Sequence, residues 1–267
     1  MERREVFERV KRATVAVAAM NREGATHPFT IIGSGFCVDP RGLIVTCRHV
    51  LEAMMEKPPA QQISEVSDEE SRKKIQKLPP VQAITPFAVF YAGQSKDPEQ
   101  LLFFPCQVDN ATAKTDFDLA MLRVLPHKAF ASGYPFLEIE ESGSLAEGDL
   151  IGTCDFPLGN DLYDQLGTVT SSFITGIISS VIPAAGVTRE LLRGFQLDLT
   201  ATHGNSGGPV FSIASGRVFG VLQLGVADQK GRPLHGLTKA EPVYPIVHFK
   251  VIEGMKKTPP GRPVLDL

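Results

Sequence analysis

A chain of 267 residues has the length of one large domain, and 43% hydrophobic residues with 24 Gly and 20 Pro describe a folded chain of short segments and turns, not a disordered or coiled-coil one. With 27 Lys and Arg against 30 Asp and Glu, the formal net charge of -3 offers no basic surplus for nucleic acid or an anionic membrane. Cys37, Cys47, Cys106 and Cys154 show no Cys-x-x-Cys or Cys/His spacing that suggests zinc, which makes them candidate core thiols.

Taken in chain order, residues 2–12 place Val6, Phe7 and Val10 on one side, with Glu5/Arg9 and Glu8/Arg12 spaced for helical pairing, so a short N-terminal helix (1–12) is expected. The same segment mixes acids and bases and lacks the apolar run of a secretory leader, which points to a cytoplasmic protein. Residues 13–20 read as the first strand, and the apolar runs 30–38 and 43–47 flank Asp39-Pro40-Arg41-Gly42 as a hairpin. A turn centred there opposes Cys47 to a residue near Ser34, not to Cys37, so free thiols in a reducing compartment are expected. One helical turn follows at 49–54.

Residues 57–80 form a polar, Pro-bracketed insertion with little apolar surface to bury, read as a surface excursion. Strand patterns at 87–91, 101–108 and 119–124 complete a first unit of about 13–125. After a link rich in Pro, Gly and acids, a second series at 150–154, 167–173, 176–181, 195–199, 208–212, 218–224 and 242–249 makes a unit of about 140–250, ending the domain near 256 before a tail at 257–267. Many short strands punctuated by turns predict an all-β barrel or sandwich, not an alternating β/α fold. The most apolar stretch, 172–187, is interrupted by Thr175, Gly176, Ser179, Ser180 and Pro183 and is too short to cross a bilayer.

Three segments carry chemistry. In Gly204-Asn205-Ser206-Gly207-Gly208-Pro209, glycines on both sides of a serine allow close approach of substrate and aim backbone N–H groups at a developing oxyanion, which assigns Ser206 as nucleophile and the N–H groups of Gly204 and Ser206 as the oxyanion hole. Thr46-Cys47-Arg48-His49-Val50 sets a histidine just past an apolar strand, placed to act as a base. In Asp116-Phe117-Asp118-Leu119-Ala120-Met121-Leu122 a carboxylate precedes a buried strand and can orient an imidazole through Nδ1–H. Residue type leaves Asp116 and Asp118 both open, and the apolar run starting directly after Asp118 favours the latter.

In their order His, Asp, Ser, these segments resemble the trypsin-like peptidases, most closely the bacterial HtrA/Deg branch. Gly33-Ser34-Gly35-Phe36 with Asp39 through Val50, Asp118 through Val124, and Gln196 through Pro209 carry the resemblance. It implies two packed six-stranded antiparallel β-barrels and a serine endopeptidase acting on protein or peptide substrates through His49, Asp118 and Ser206, with no metal or organic cofactor. It also implies a pocket with Thr200 at its base, His203 near its mouth and Gln223-Leu224-Gly225 along one wall. Lys239-Ala240-Glu241 is either the opposite wall or a solvated strand edge. A pocket base without a carboxylate predicts a medium apolar side chain before the cut and not Lys or Arg, while His203 leaves an acidic one open. Cys47-Arg48 before His49, His203 before Gly204 and the absence of a following PDZ domain depart from the branch, so its regulated quality-control role does not carry over. Competing expectations are a latent or inactive domain that binds peptides or a regulatory partner, with 157–165 and 183–193 as switch loops, and an esterase using the same serine.

Overall fold

Residues 2–20, 29–54, 86–91, 101–108, 117–124, 127–140, 145–166, 169–227 and 233–248 are described by the computed structural model of the protein. The 57–80 insertion, Asp116 and the 257–267 tail lie outside them. Helix α1 (Arg3–Ala13) opens the chain where the pairing pattern predicts it, with the Glu5 carboxylate accepting from the Glu2 N–H at 3.2 Å at its first turn. Its Val6, Val10 and Ala13 are buried. The chain then enters β1 (Thr14–Met20), the transition fixed by the Thr14 hydroxyl, which donates to the Val10 carbonyl at 2.9 Å.

β1, β2 (Phe29–Asp39), β3 (Leu43–Thr46), β4 (Pro86–Tyr91), β5 (Leu101–Val108) and β6 (Ala120–Val124) close into an antiparallel barrel in the order β1-β2-β3-β6-β5-β4. β7 (Leu150–Asp155), β8 (Ser172–Ile182), β9 (Gly194–Leu197), β10 (Pro209–Ser212), β11 (Val218–Ala227) and β12 (Pro233–Pro242) close a second one in the order β10-β11-β12-β9-β8-β7. The architecture is therefore the expected pair of six-stranded antiparallel barrels. Helix α2 (Arg48–Met54) follows β3, and helix α3 (Gly159–Leu166) follows β7. None of the described helices is long and apolar enough to cross a membrane.

Strand boundaries differ from the sequence reading in barrel two. The two strands expected at 167–173 and 176–181 are one strand, β8, that runs through Gly176 opposite Ile151. A side chain on Gly176 would start 2.3 Å from the Asp198 carbonyl, so this glycine admits a neighbouring strand and does not mark a turn. The last strand is not at 242–249, where a 3-10 helix occupies Tyr244–His248; it is β12, whose Lys239 and Glu241 hide it from a hydrophobic pattern. Pairing on both edges, Lys239 with Gln196 of β9 and Glu241 with Val221 of β11, holds it in the sheet.

The two barrels share apolar packing. Phe36, Leu43, Met121 and Leu122 of barrel one belong to a continuous buried cluster with Phe211, Val221, Val243 and Ile246 from the second half. Helix α1 joins this cluster although it precedes barrel one: its Phe7 ring lies 4.6 Å from Phe173 and 5.9 Å from Phe211, and Arg9 donates to the Ser215 and Gly216 carbonyls at 3.2 and 3.0 Å. Burial of Val6 and Val10 stabilises this seam by about 1.5–3 kcal/mol each. The four cysteines are buried free thiols, and burial pushes Cys37, Cys106 and Cys154 up to about 12. Cys37 faces Ile44 across the β2–β3 hairpin.

Candidate active site

His49 sits in the first turn of α2, three residues after Thr46, which makes the last pair joining β3 to β6, and Asp118 lies just before β6. Because β3 and β6 are ladder neighbours, the residues just beyond their adjacent ends meet. The Asp118 carboxylate takes both groups His49 offers: Oδ2 lies 2.5 Å from Nδ1, and Oδ1 accepts the His49 backbone N–H at 3.0 Å. Burial raises the Asp118 carboxyl, but hydrogen bonds from the His49 ring and backbone, with the charges of His49 and Arg48, outweigh it and hold the group below its ordinary value. A permanent carboxylate against Nδ1 favours the proton on that nitrogen. His49 Nε2 is buried and makes no hydrogen bond to any described residue.

Barrel two brings Ser206 to this place through backbone contacts. The Ser206 carbonyl accepts the Ser34 N–H at 2.8 Å, and a side chain on Gly33 would touch both that carbonyl, at 2.9 Å, and Val50 of α2, at 2.8 Å. The turn needs glycine on both sides: φ is +94° at Gly204 and +91° at Gly207. The His203 carbonyl is turned to the Leu158 N–H at 2.7 Å, so the trans peptide points the Gly204 N–H the other way. Likewise the Asn205 carbonyl accepts from the Gly208 N–H at 3.0 Å, leaving the Ser206 N–H on the opposite side. Neither N–H bonds to a described residue, as an oxyanion site requires.

A buried polar cluster supports this loop from below. Asn205 Oδ1 accepts from the Thr202 N–H at 3.2 Å and the Thr202 hydroxyl at 2.8 Å, while Asn205 Nδ2 donates to Asp155 Oδ1 at 2.7 Å. The Thr153 hydroxyl donates to Asp155 Oδ2 at 2.8 Å, and the Ser34 hydroxyl donates to the Gly204 carbonyl at 2.6 Å while accepting the Phe156 N–H at 2.9 Å. Leu158, at φ +48°, belongs to the 157–165 segment and buttresses the same loop. Ser34, Thr153, Asp155 and Asn205 are not assigned to the site by sequence; the local signals for two of them are the position of Asn205 beside Ser206 and of Ser34 within Gly33-Ser34-Gly35.

Burial pushes the Asp155 carboxyl up to about 7, against the hydrogen bonds from Thr153 and Asn205 that favour its ionised form. A folded-state value above the unfolded one means that the stabilisation is complete below about 4 and is lost as pH rises through about 7. Urea unfolding of Asp155→Asn is therefore expected to lack a downward slope in stability that the parent chain shows between pH 5 and 7, at most about 1.4 kcal/mol per pH unit. Equal slopes in the two chains would contradict the buried, titrating Asp155.

The family model of the trypsin-like peptidase domain matches residues 33–221, a span running from before His49 to beyond Ser206. The chain belongs to this family. No curated protein matches it.

Within this trypsin-like peptidase domain the expected pocket residues have varied contacts. Thr200 is exposed, and its hydroxyl accepts the Gly236 N–H at 3.2 Å. His203 is exposed beside Gly204. Gln223 turns its amide elsewhere: Nε2 donates to Asp118 Oδ2 at 3.2 Å and to Glu241 Oε1 at 2.9 Å. Gly225 pairs with Thr238 across β11 and β12, and the Leu224 side chain lies outside the described set. Thr238, fully buried, bridges the Leu199 carbonyl at 2.8 Å and the Ala201 N–H at 3.2 Å, which fixes the backbone on both sides of Thr200.

Cys47, His49 and Asp118 place three candidate ligand atoms within 4.8 Å of one another. Those atoms already serve one another and the backbone: the Cys47 thiol donates to the Leu222 carbonyl at 3.3 Å, and burial, with the Asp118 charge second, pushes it well above its ordinary value. A thiol held protonated beside an imidazole already bonded to its carboxylate is a poor cation site.

Proposed function

We propose that this trypsin-like peptidase domain is a serine endopeptidase. Ser206 Oγ attacks the scissile carbonyl of a protein or peptide chain, and His49 Nε2 takes the hydroxyl proton. The N–H groups of Gly204 and Ser206 receive the oxyanion. His49 then gives its proton to the departing amine, leaving an acyl group on Ser206. Water attacks that ester with His49 again as base, which releases the new carboxylate and returns the proton to Ser206. Asp118 holds the ring and stabilises the imidazolium formed at each attack.

The observation that supports this most is the double grip of Asp118 on the His49 ring and backbone, which leaves Nε2 without a competing partner. Hydrogen bonds of the reacting groups often tighten only when substrate is bound, so the unpaired Nε2 agrees with the free form of such a site. Thr200, uncharged at the expected pocket base with its hydroxyl on the Gly236 N–H, supports a medium apolar side chain before the cut over Lys or Arg, and the exposed His203 keeps an acidic one open.

Reaction with a fluorophosphonate probe, followed by mass-spectrometric mapping, tests this. Labelling is expected at Ser206 and lost in His49→Ala. A folded chain that shows no labelling would instead support a latent or peptide-binding domain, and labelling with hydrolysis of acyl esters but not peptides would make it an esterase.

A further inference from the structure

A second buried carboxylate lies three hydrogen bonds away from His49, through Asp118 and Gln223. Glu241 of β12 is 5% exposed, and its Oε1 accepts from Gln223 Nε2 at 2.9 Å and from Lys239 Nζ at 3.0 Å. The same Gln223 nitrogen donates at 3.2 Å to Asp118 Oδ2, the oxygen that holds His49 Nδ1. An amide nitrogen carries two hydrogens, and here both are used to join carboxylates from different barrels. Two anions so close in a partly dry site repel each other unless a cation offsets one of them, and Lys239 is placed to do so.

The other titratable groups facing His49 and Asp118 come from their own side of the cleft. Cys47 precedes α2 with its thiol held neutral, and Arg48 is paired with Glu52 at 3.7 Å. Among the described residues, Glu241 and Lys239 are thus the charges that reach the pair from barrel two.

We propose that Glu241 and Lys239 form a positioning pair for His49: through the Gln223 amide they hold the Asp118 carboxylate against the ring and set the field in which the imidazole takes up its proton. This rests on the reading of His49, Asp118 and Ser206 given above. Removing the Glu241 charge leaves the Lys239 cation unopposed and disfavours the imidazolium. Removing the Lys239 charge leaves the carboxylate unopposed and favours it. Simple loss of packing has no reason to produce opposite signs.

The test is the NMR titration of the His49 ring, identified by its loss in His49→Ala, in the full chain and in Glu241→Gln, Lys239→Gln and the double variant. Glutamine keeps an acceptor at position 241, so that the change is one of charge. At low salt the midpoint is expected to move down by roughly half a pH unit in Glu241→Gln and up by a similar amount in Lys239→Gln, with the double variant near the parent and both shifts reduced in high salt. Midpoints that stay still, or move in the same direction, overturn the proposal. Because the titration needs no turnover, opposite shifts in a chain whose Ser206 does not react would keep the positioning pair and remove the peptidase reading. Reactive Ser206 with unmoved midpoints would do the reverse.

Discussion

Asp118→Asn is expected to lower kcat by about four orders of magnitude without unfolding the chain, the size seen when such an imidazole is held in the wrong tautomer. The geometry explains why an amide cannot substitute. The carboxylate accepts from three donors: the His49 N–H at Oδ1, and the His49 ring and Gln223 Nε2 at Oδ2. An asparagine side chain has one oxygen. With that oxygen on the backbone N–H, its NH2 faces Nδ1 and Gln223, forcing the ring proton onto Nε2, where it blocks uptake of the serine proton. Flipped, the NH2 meets the His49 N–H donor to donor. Steady-state kinetics on a peptide substrate and thermal unfolding of the variant check both halves of this expectation. Asp116→Ala is expected to retain most activity; the opposite pattern would move the role to Asp116.

Gly207→Ala is expected to destabilise the chain by more than about 3 kcal/mol and to abolish labelling of Ser206. Two costs combine. The backbone at Gly207 has φ +91°, and an L side chain there costs about 1–2 kcal/mol. The added methyl would also start 2.1 Å from the Ser34 carbonyl and 2.4 Å from the Thr46 hydroxyl, which are already bonded to each other at 2.7 Å and have no room to withdraw. Gly148 supplies the control. It has the same φ of +91° with no atom within 4 Å of an added side chain, so Gly148→Ala carries only the conformational part. Urea unfolding of the two variants separates the terms, and equal losses would show that the barrel-to-barrel contact at Ser34 is not what demands glycine at 207.

The proposed positioning pair and the buried Asp155 lie beyond the groups assigned to react. Asn205 ties Thr202 to Asp155, and Gln223 ties Asp118 to Glu241, so the Gly204–Gly208 turn and the Asp118–His49 pair each end in a buried carboxyl of barrel two. On the proposed peptidase reading, the chemistry is thereby coupled to the integrity of a barrel that supplies Ser206 but neither His49 nor Asp118.

What was legible in the sequence follows from local rules. Ser206 between glycines, His49 past a strand and Asp118 before an apolar run are short-range patterns, because turns, strand ends and strand faces depend on neighbouring residues. The hairpin around Asp39-Pro40-Arg41-Gly42 and the thiol arrangement were legible for the same reason. Tertiary structure alone decided the rest. Gln223, placed along a pocket wall by resemblance, directs its amide to Asp118, 105 positions earlier. Asp155 meets Asn205 across 50 positions, and Gly176, which reads as a break between strands, is instead where Asp198 comes close. β12 stayed hidden because Lys239 and Glu241, polar in sequence, are held in the sheet by pairing on both edges. Periodicity reports which face of a segment is apolar. It holds no information on which distant donor a buried carboxylate will find, since that depends on how two closed barrels pack.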